Sequence, residues 1–184
     1  MIDGLDASGK TTQAEILAKK FAKEQKTVCL RTHPSDDNFF GLQARRFLFA
    51  KGKNAHFASA VFYMFDVLRS VTLFSWRKFD HIIFVRYLMG TAYLPSPLHK
   101  IGYCFFSSIL PKSENMFFLD VTPKEAHRRI NENRINREIF EEINALKKIR
   151  MKALALIIID QWKIISGDNP SEQVTRQIIS SLTS

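Results

Sequence analysis

Two glycines near the start of the chain bracket four residues, and a lysine and a threonine follow: Gly4-Leu5-Asp6-Ala7-Ser8-Gly9-Lys10-Thr11. Glycines so placed let the main chain turn tightly and aim successive N–H groups at phosphate oxygens, and a helix opening near Lys10 adds the positive end of its dipole. The lysine can reach the β- and γ-phosphates of a nucleotide, and the Thr11 hydroxyl can ligate Mg²⁺. Gly4, Leu5, Asp6, Ala7, Ser8, Gly9, Lys10, Thr11 and Thr12 are therefore expected to hold a nucleoside triphosphate.

Three further constellations could carry chemistry. In Phe62-Tyr63-Met64-Phe65-Asp66-Val67-Leu68-Arg69, Phe65 and Arg69 share one helical face. A flat ring can stack on a base while a guanidinium donates to its exocyclic oxygen; the plain alternative is an aromatic stripe that belongs to the helix core. Arg86, in Val85-Arg86-Tyr87, can clamp a phosphate bidentately. The basic run from Arg128 to Glu141 holds Arg128, Arg129, Arg134 and Arg137. Phosphoryl transfer depends on positioning and charge neutralisation, which such arginines supply. For Arg128 a solvated helix face is an equal reading. The histidines His33, His56, His81 and His99 show no metal-ligand spacing and read as structural.

The elements that would position these groups alternate between strand and helix, the pattern of a parallel α/β sheet. Residues 11–25 have helical spacing, with Ala14, Ile16, Leu17, Ala18 and Phe21 on one side. Residues 27–31, 81–85, 115–120 and 162–166 read as strands, with a polar loop at 32–38. Helices are expected near 39–50, 55–78 and 123–133, then a long one to about 160, and a last one after Asn169-Pro170-Ser171-Glu172. Thr122-Pro123-Lys124-Glu125 has the form of a capping box with proline at the first helical position. Only Met1 and Ile2 precede the glycine loop's Asp3. Either the strand that should feed the loop is very short, or its first residues lie outside this sequence; the second is the expectation, since a sheet lacking its central strand leaves backbone groups unpaired.

The 184 residues, 46% of them hydrophobic, suffice for one domain with a core. Most of the 16 phenylalanines are expected inside it. The net charge of +9 suits anionic partners: nucleotides, nucleic acid or an acidic membrane surface. Cys29 and Cys104 lie in apolar runs and read as buried free thiols of a reducing compartment. No signal peptide is visible, and charges interrupt the apolar stretches, so a soluble cytoplasmic protein without membrane spans is expected.

The segment Ile2-Asp3-Gly4-Leu5-Asp6-Ala7-Ser8-Gly9-Lys10-Thr11-Thr12-Gln13 resembles the opening of thymidylate kinases. The resemblance implies that Asp6 faces the acceptor nucleotide near its sugar and phosphate. It pairs Phe65 and Arg69 with a phenylalanine that stacks on thymine and an arginine that reads its O4. It makes Arg86 the clamp on the acceptor phosphate and Tyr93, in Gly90-Thr91-Ala92-Tyr93, a wall of the sugar pocket. The family shows Asp-Arg-aromatic where this chain has Val85-Arg86-Tyr87. Valine neither accepts a proton nor orders water on Mg²⁺, and Asp120 ends a different strand. The glycine loop lacks an arginine, so the chain resembles the arrangement in which a lid, about 131–141, supplies Arg134 and Arg137. Residues 31–35 resemble the acceptor loop, but Asp36 and Asp37 stand where an arginine is usual; Arg45 or Arg46 either compensates or belongs to a surface face.

The resemblance thus implies a single P-loop NTPase domain over residues 1–184: a three-layer α/β/α fold whose five-stranded parallel sheet has the order 2-3-1-4-5. It implies Mg²⁺- and ATP-dependent phosphorylation of dTMP to dTDP, with Lys10, Arg86, Arg134 and Arg137 catalytic, in a homodimer packed through the apolar helix of residues 55–78. Two alternatives stay open: a nucleotide-binding homologue weakened by the loss of the acid at Val85, and a deoxynucleoside kinase of the same fold. Nucleic-acid binding ranks last.

Overall fold

Three residues make the central strand. In the computed structural model, which describes residues 1–50, 53–133 and 142–182, β1 (Ile2–Gly4) pairs in parallel with β3 (His81–Val85) on one side and with β4 (Phe117–Asp120) on the other. The strand is very short, yet its register joins Ile2 to both Val85 and Phe117. The outer strands are β2 (Val28–Thr32) against β3 and β5 (Lys163–Ser166) against β4. All pairings are parallel and the order is β2-β3-β1-β4-β5, as expected.

Helices cover both faces. α1 (Lys10–Lys23) and α7 (Ser171–Leu182) close one apolar layer over Ile2, Ile83, Val85, Phe117, Leu119 and Ile165. The other layer receives Phe84 and Phe118, because successive side chains of a strand point to opposite faces. It is completed by α2 (Phe39–Leu48), α3 (Lys53–Phe74), α4 (Leu98–Ile109), α5 (Pro123–Asn133) and α6 (Ile143–Ile157), with a 3-10 segment at Met89–Tyr93. Each fully buried large side chain, such as Leu119 or Phe118, contributes about 1.5–3 kcal/mol.

The structure corrects several expectations. α4 was not anticipated: its outward stripe, Leu98, Ile101, Phe105 and Ile109, is apolar, which blurs the helical signature. Cys104 on this helix is exposed and Cys29 is half-buried; both thiols are free. Phe39, Phe49, Phe57, Phe65 and Phe105 are exposed. α3 contains a stretch, Phe57–Phe74, long and apolar enough to cross a membrane by length and composition; here it buries Ala60, Tyr63, Met64 and Val67 against the rest of the fold. The capping box at α5 is half formed. Thr122 Oγ1 accepts from Glu125 N at 3.4 Å, but Thr122 N donates to Asp168 at 3.0 Å while Glu125 turns to Arg128 and Arg129.

One local network seats α2 beside the sheet. Buried Asp66 of α3 accepts from Ser35 N and Oγ, both at 2.6 Å, and from Asn38 Nδ2 at 2.7 Å. Asn38 in turn caps α2, accepting from Phe40 N and Gly41 N. Gly41 lies so close to the loop that a Cβ there would fall 2.1 Å from Ser35 O. Gly41→Ala is expected to push α2 off the loop and cost about 1–3 kcal/mol, read as a lower midpoint of thermal or urea unfolding; an unchanged midpoint would contradict this packing.

Candidate active site

The glycine loop leaves the end of β1 with the backbone that only glycine adopts easily. Gly4 has φ 148°, and a Cβ there would meet Leu119 O at 2.5 Å; Gly9, which caps α1, has φ 89°. The loop folds back on itself through Ser8 N→Leu5 O at 3.2 Å, and buried Lys10 donates to Leu5 O and to Ser8 Oγ. It opens on a cavity of about 640 Å³ lined by residues 7–13, by Glu125, Arg128, Arg129 and Ile130 of α5, and by Gly167–Ser171 and Val174 beyond β5. Arg129 spans the gap between helix and loop: Nε donates to Glu125 at 2.8 Å and Nη1 to Ala7 O at 3.3 Å. Arg128 is exposed and paired with Glu125 and Glu132, the solvated reading.

A second cavity, about 300 Å³, opens on the other side of the loop. Asp3, Asp6, Arg45, Arg86 and Tyr93 line its polar side, and Leu48, Phe49, Ala60 and Tyr63 its apolar side. Arg86 lines both cavities. Its Nη2 donates to Asp6 Oδ1 at 2.8 Å, and the Tyr93 hydroxyl donates to Asp6 Oδ2 at 2.9 Å. Burial alone would raise the Asp6 carboxyl, but Arg86 and Lys10 outweigh it and hold the group well below the usual carboxylate range. The structure thus brings Asp6, Arg86 and Tyr93 together at the same cavity.

Phe65 and Arg69 do not join them. Phe65 is 48% exposed and lies tilted against Phe40, with ring centroids 5.5 Å apart; Arg69 lies 3.8 Å from Asp37. The face of α3 that lines the cavity carries Ser59, Ala60 and Tyr63. Two residues of helix turn the side chain about 200° away. Because α3 is aromatic on several sides, spacing fits more than one phase, and the pattern alone favours none of them. Arg45, assigned above to a surface face or a compensating role, is half-exposed yet lines the cavity, its Nη2 donating to Pro34 O at 2.9 Å. Tyr63, Asp3 and the loop at 167–171 were missed, and Arg129 was noted only as part of the basic run; they converge only through the fold. Arg134 and Arg137 lie outside the described residues, as does most of the lid.

Val85 is fully buried among Ile2, Ala14 and Leu17, under α1. Asp120 is held bidentately by Arg150 at 2.7 Å and 2.7 Å, which fits a structural role. Among the described residues no cluster of His, Cys, Asp or Glu could hold a metal. His81 stacks on Phe21 and His33 on Phe84.

A phosphate loop feeding a helix, set on a 2-3-1-4-5 parallel sheet and flanked by two cavities that share an arginine, defines a P-loop nucleotide kinase. A sequence model of the thymidylate kinase family matches residues 2–178, and the chain belongs to that family. It is 26% identical to a probable thymidylate kinase of Thermococcus gammatolerans, over 97% of this chain and 92% of that one. A probable thymidylate kinase of Metallosphaera sedula is 28% identical, covering 95% of this chain and 87% of its own. The fold matches the structure of thymidylate kinase from Candida albicans with a TM-score of 0.77, over 99% of this chain and 89% of that one, at 21% identity. The protein is thus a nucleoside monophosphate kinase by family and fold, a phosphotransferase.

His33 generates a pH prediction. Its ring is wholly buried; burial lowers its pKa from 6.5 to about 4, against the opposing pull of Asp66. The folded form stays neutral while the unfolded chain takes up a proton below pH 6.5. The stability is therefore full above pH 6.5 and lost as pH falls toward 4, on the order of 3 kcal/mol across that window. Thermal midpoints measured from pH 7 to 4.5 should fall more steeply for the wild type than for His33→Asn; equal slopes would remove His33 as the cause.

Proposed function

We propose that the protein transfers the γ-phosphoryl group of ATP to dTMP, giving dTDP. The observation that carries this reading is Arg86, whose side chain lines both cavities. A donor nucleotide on the glycine loop would meet its N–H groups, Lys10 and Thr11, with Thr12 and Arg129 beside them. An acceptor phosphate in the smaller cavity would lie between Arg86 and Arg45, its base toward Leu48, Phe49, Ala60 and Tyr63. Two phosphates set on either side of one guanidinium are positioned for in-line transfer, and the charge that builds between them is neutralised.

Mg²⁺ fits the residues present. Thr11 is exposed at the start of α1 beside Lys10, and a magnesium ion takes most of its ligands from phosphate and water, so no carboxylate cluster is needed. Thr11 would hold the ion, which would supply positive charge to offset that of the phosphates. The chain's own task is to hold Arg86, through Asp6 and Tyr93, against that charge. Arg134 and Arg137 of the lid are the further cations of this reading. The probable thymidylate kinases among its relatives support dTMP as acceptor.

Buried Val85 favours a second reading, a weakened kinase, because the carboxylates lining the acceptor cavity, Asp3 and Asp6, are each engaged with protein donors. The exposed apolar side chains of α2 and α3, Phe39, Leu42, Phe57 and Phe65, suit packing against a second copy of the chain in the cytoplasm.

Coupled ADP release across nucleoside monophosphates, with thymidine as a control, should show turnover with dTMP and none with thymidine; no turnover with dTMP sinks the reading. Arg86→Lys should cost roughly 10²-fold in kcat/KM, since a point charge replaces a bidentate fork. Val85→Asp, checked first for its thermal midpoint, should raise turnover if the enzyme is weakened; substantial and unchanged turnover ends that reading. Sedimentation should show a dimer that Phe65→Glu dissociates.

A further inference from the structure

Arg86 is not a glycine, yet its backbone has φ 57°. An L-residue adopts this left-handed conformation at a cost, so it persists only where its surroundings over-determine it. The surroundings here are specific. Arg86 N completes the ladder by donating to Ile2 O at 3.1 Å. Its carbonyl lies 3.0 Å from His33 Nδ1; a carbonyl only accepts, so Nδ1 carries the proton and donates. The next amides turn the other way: Tyr87 N and Met89 N donate to one oxygen of Asp3, Oδ2, at 2.8 Å and 3.1 Å.

The topology explains why these two side chains meet one turn. β3 lies between β2 and β1. Asp3 belongs to β1, and His33 directly follows β2, so each neighbouring strand delivers a buried polar side chain to the end of β3. Asp3 is 2% exposed and His33 is fully buried. Burying a carboxylate is expensive without hydrogen bonds, and Asp3 spends its acceptor capacity on this turn's amides and on Gly4 N. His33 is not in the lining of either cavity.

We infer that Asp3 and His33 are positioning residues: together they lock the backbone of Arg86 in its left-handed turn and so aim its guanidinium at the wall between the two cavities. The inference rests on reading Arg86 as the acceptor-phosphate clamp. Without the lock, the turn relaxes toward extended backbone, and the guanidinium leaves Asp6 and the shared wall.

The test pairs variants that keep or delete the hydrogen bond. Asp3→Asn retains an acceptor oxygen and His33→Asn a donor N–H; Asp3→Ala and His33→Leu remove them. With dTMP and ATP as substrates, the deletions should lower kcat/KM for dTMP at least tenfold while leaving the KM for ATP within about threefold, and the Asn variants should recover most of the loss. In an Arg86→Ala background the same deletions should add little, because they act through Arg86. Equal losses in both backgrounds, or a parallel loss of ATP binding, would overturn the inference. A readout without turnover separates it from the proposed activity: the Tyr87 and Met89 amides should exchange slowly with deuterium in the wild type and quickly in Asp3→Ala. Slow exchange in both overturns the lock. A lock that passes this exchange test, in a protein that binds no nucleoside monophosphate, would instead refute the proposed activity alone.

Discussion

A single residue, Arg86, lines both cavities, and the arrangement of the site depends on where its guanidinium is held. Asp6 holds one of its nitrogens, and Tyr93 holds Asp6. Pairing a buried carboxylate with a half-buried guanidinium contributes little certain stability, because desolvation offsets attraction. What the pair does provide is orientation. The cation has a preferred place before any phosphate arrives, and it need not be recruited when charge builds.

The same economy governs the rest of the basic surface. Of a net charge of +9, Lys10, Arg45, Arg86 and Arg129 converge on the two cavities. Other arginines are spent on structure: Arg150 on Asp120, Arg31 on Asp37, Arg128 on its helix neighbours. This distribution argues for small anionic ligands held in clefts, since a nucleic-acid surface would spread its cations along an open face.

Energetically the fold is divided. The layer under α1 and α7 is mainly apolar, with Val85 in it, and buried Gln13 ties the two helices together through Ser171 and Thr175. The opposite side of the sheet carries the polar devices: the Asp66 network that seats the loop and α2, and the hydrogen bond from Trp162 to the Tyr103 hydroxyl at 2.8 Å. The smaller cavity is built on that second side, where α2 and α3 also leave aromatic side chains uncovered.

The phosphate loop was legible in the sequence because it is local: its glycines, Lys10 and Thr11 work through the backbone between them, and neighbouring residues must be neighbours in space. The strand order came through the family resemblance that the motifs carry, and the sheet has that order. Phase was not legible. Phe65 and Tyr63 stand about 200° apart around an apolar helix, and only packing against Ser35, Gly90 and the sheet sets which side of α3 faces inward. Nor could spacing show that Arg45, Arg129 and Arg86 share walls, or that Asp3 and His33 meet at one turn, since they are separated by long stretches of chain that only the parallel crossovers bring together. The sequence alone determined the glycine loop and the family whose opening it resembles. The tertiary structure decided which side chains surround it, because long-range convergence is a property of the sheet order and not of any local pattern.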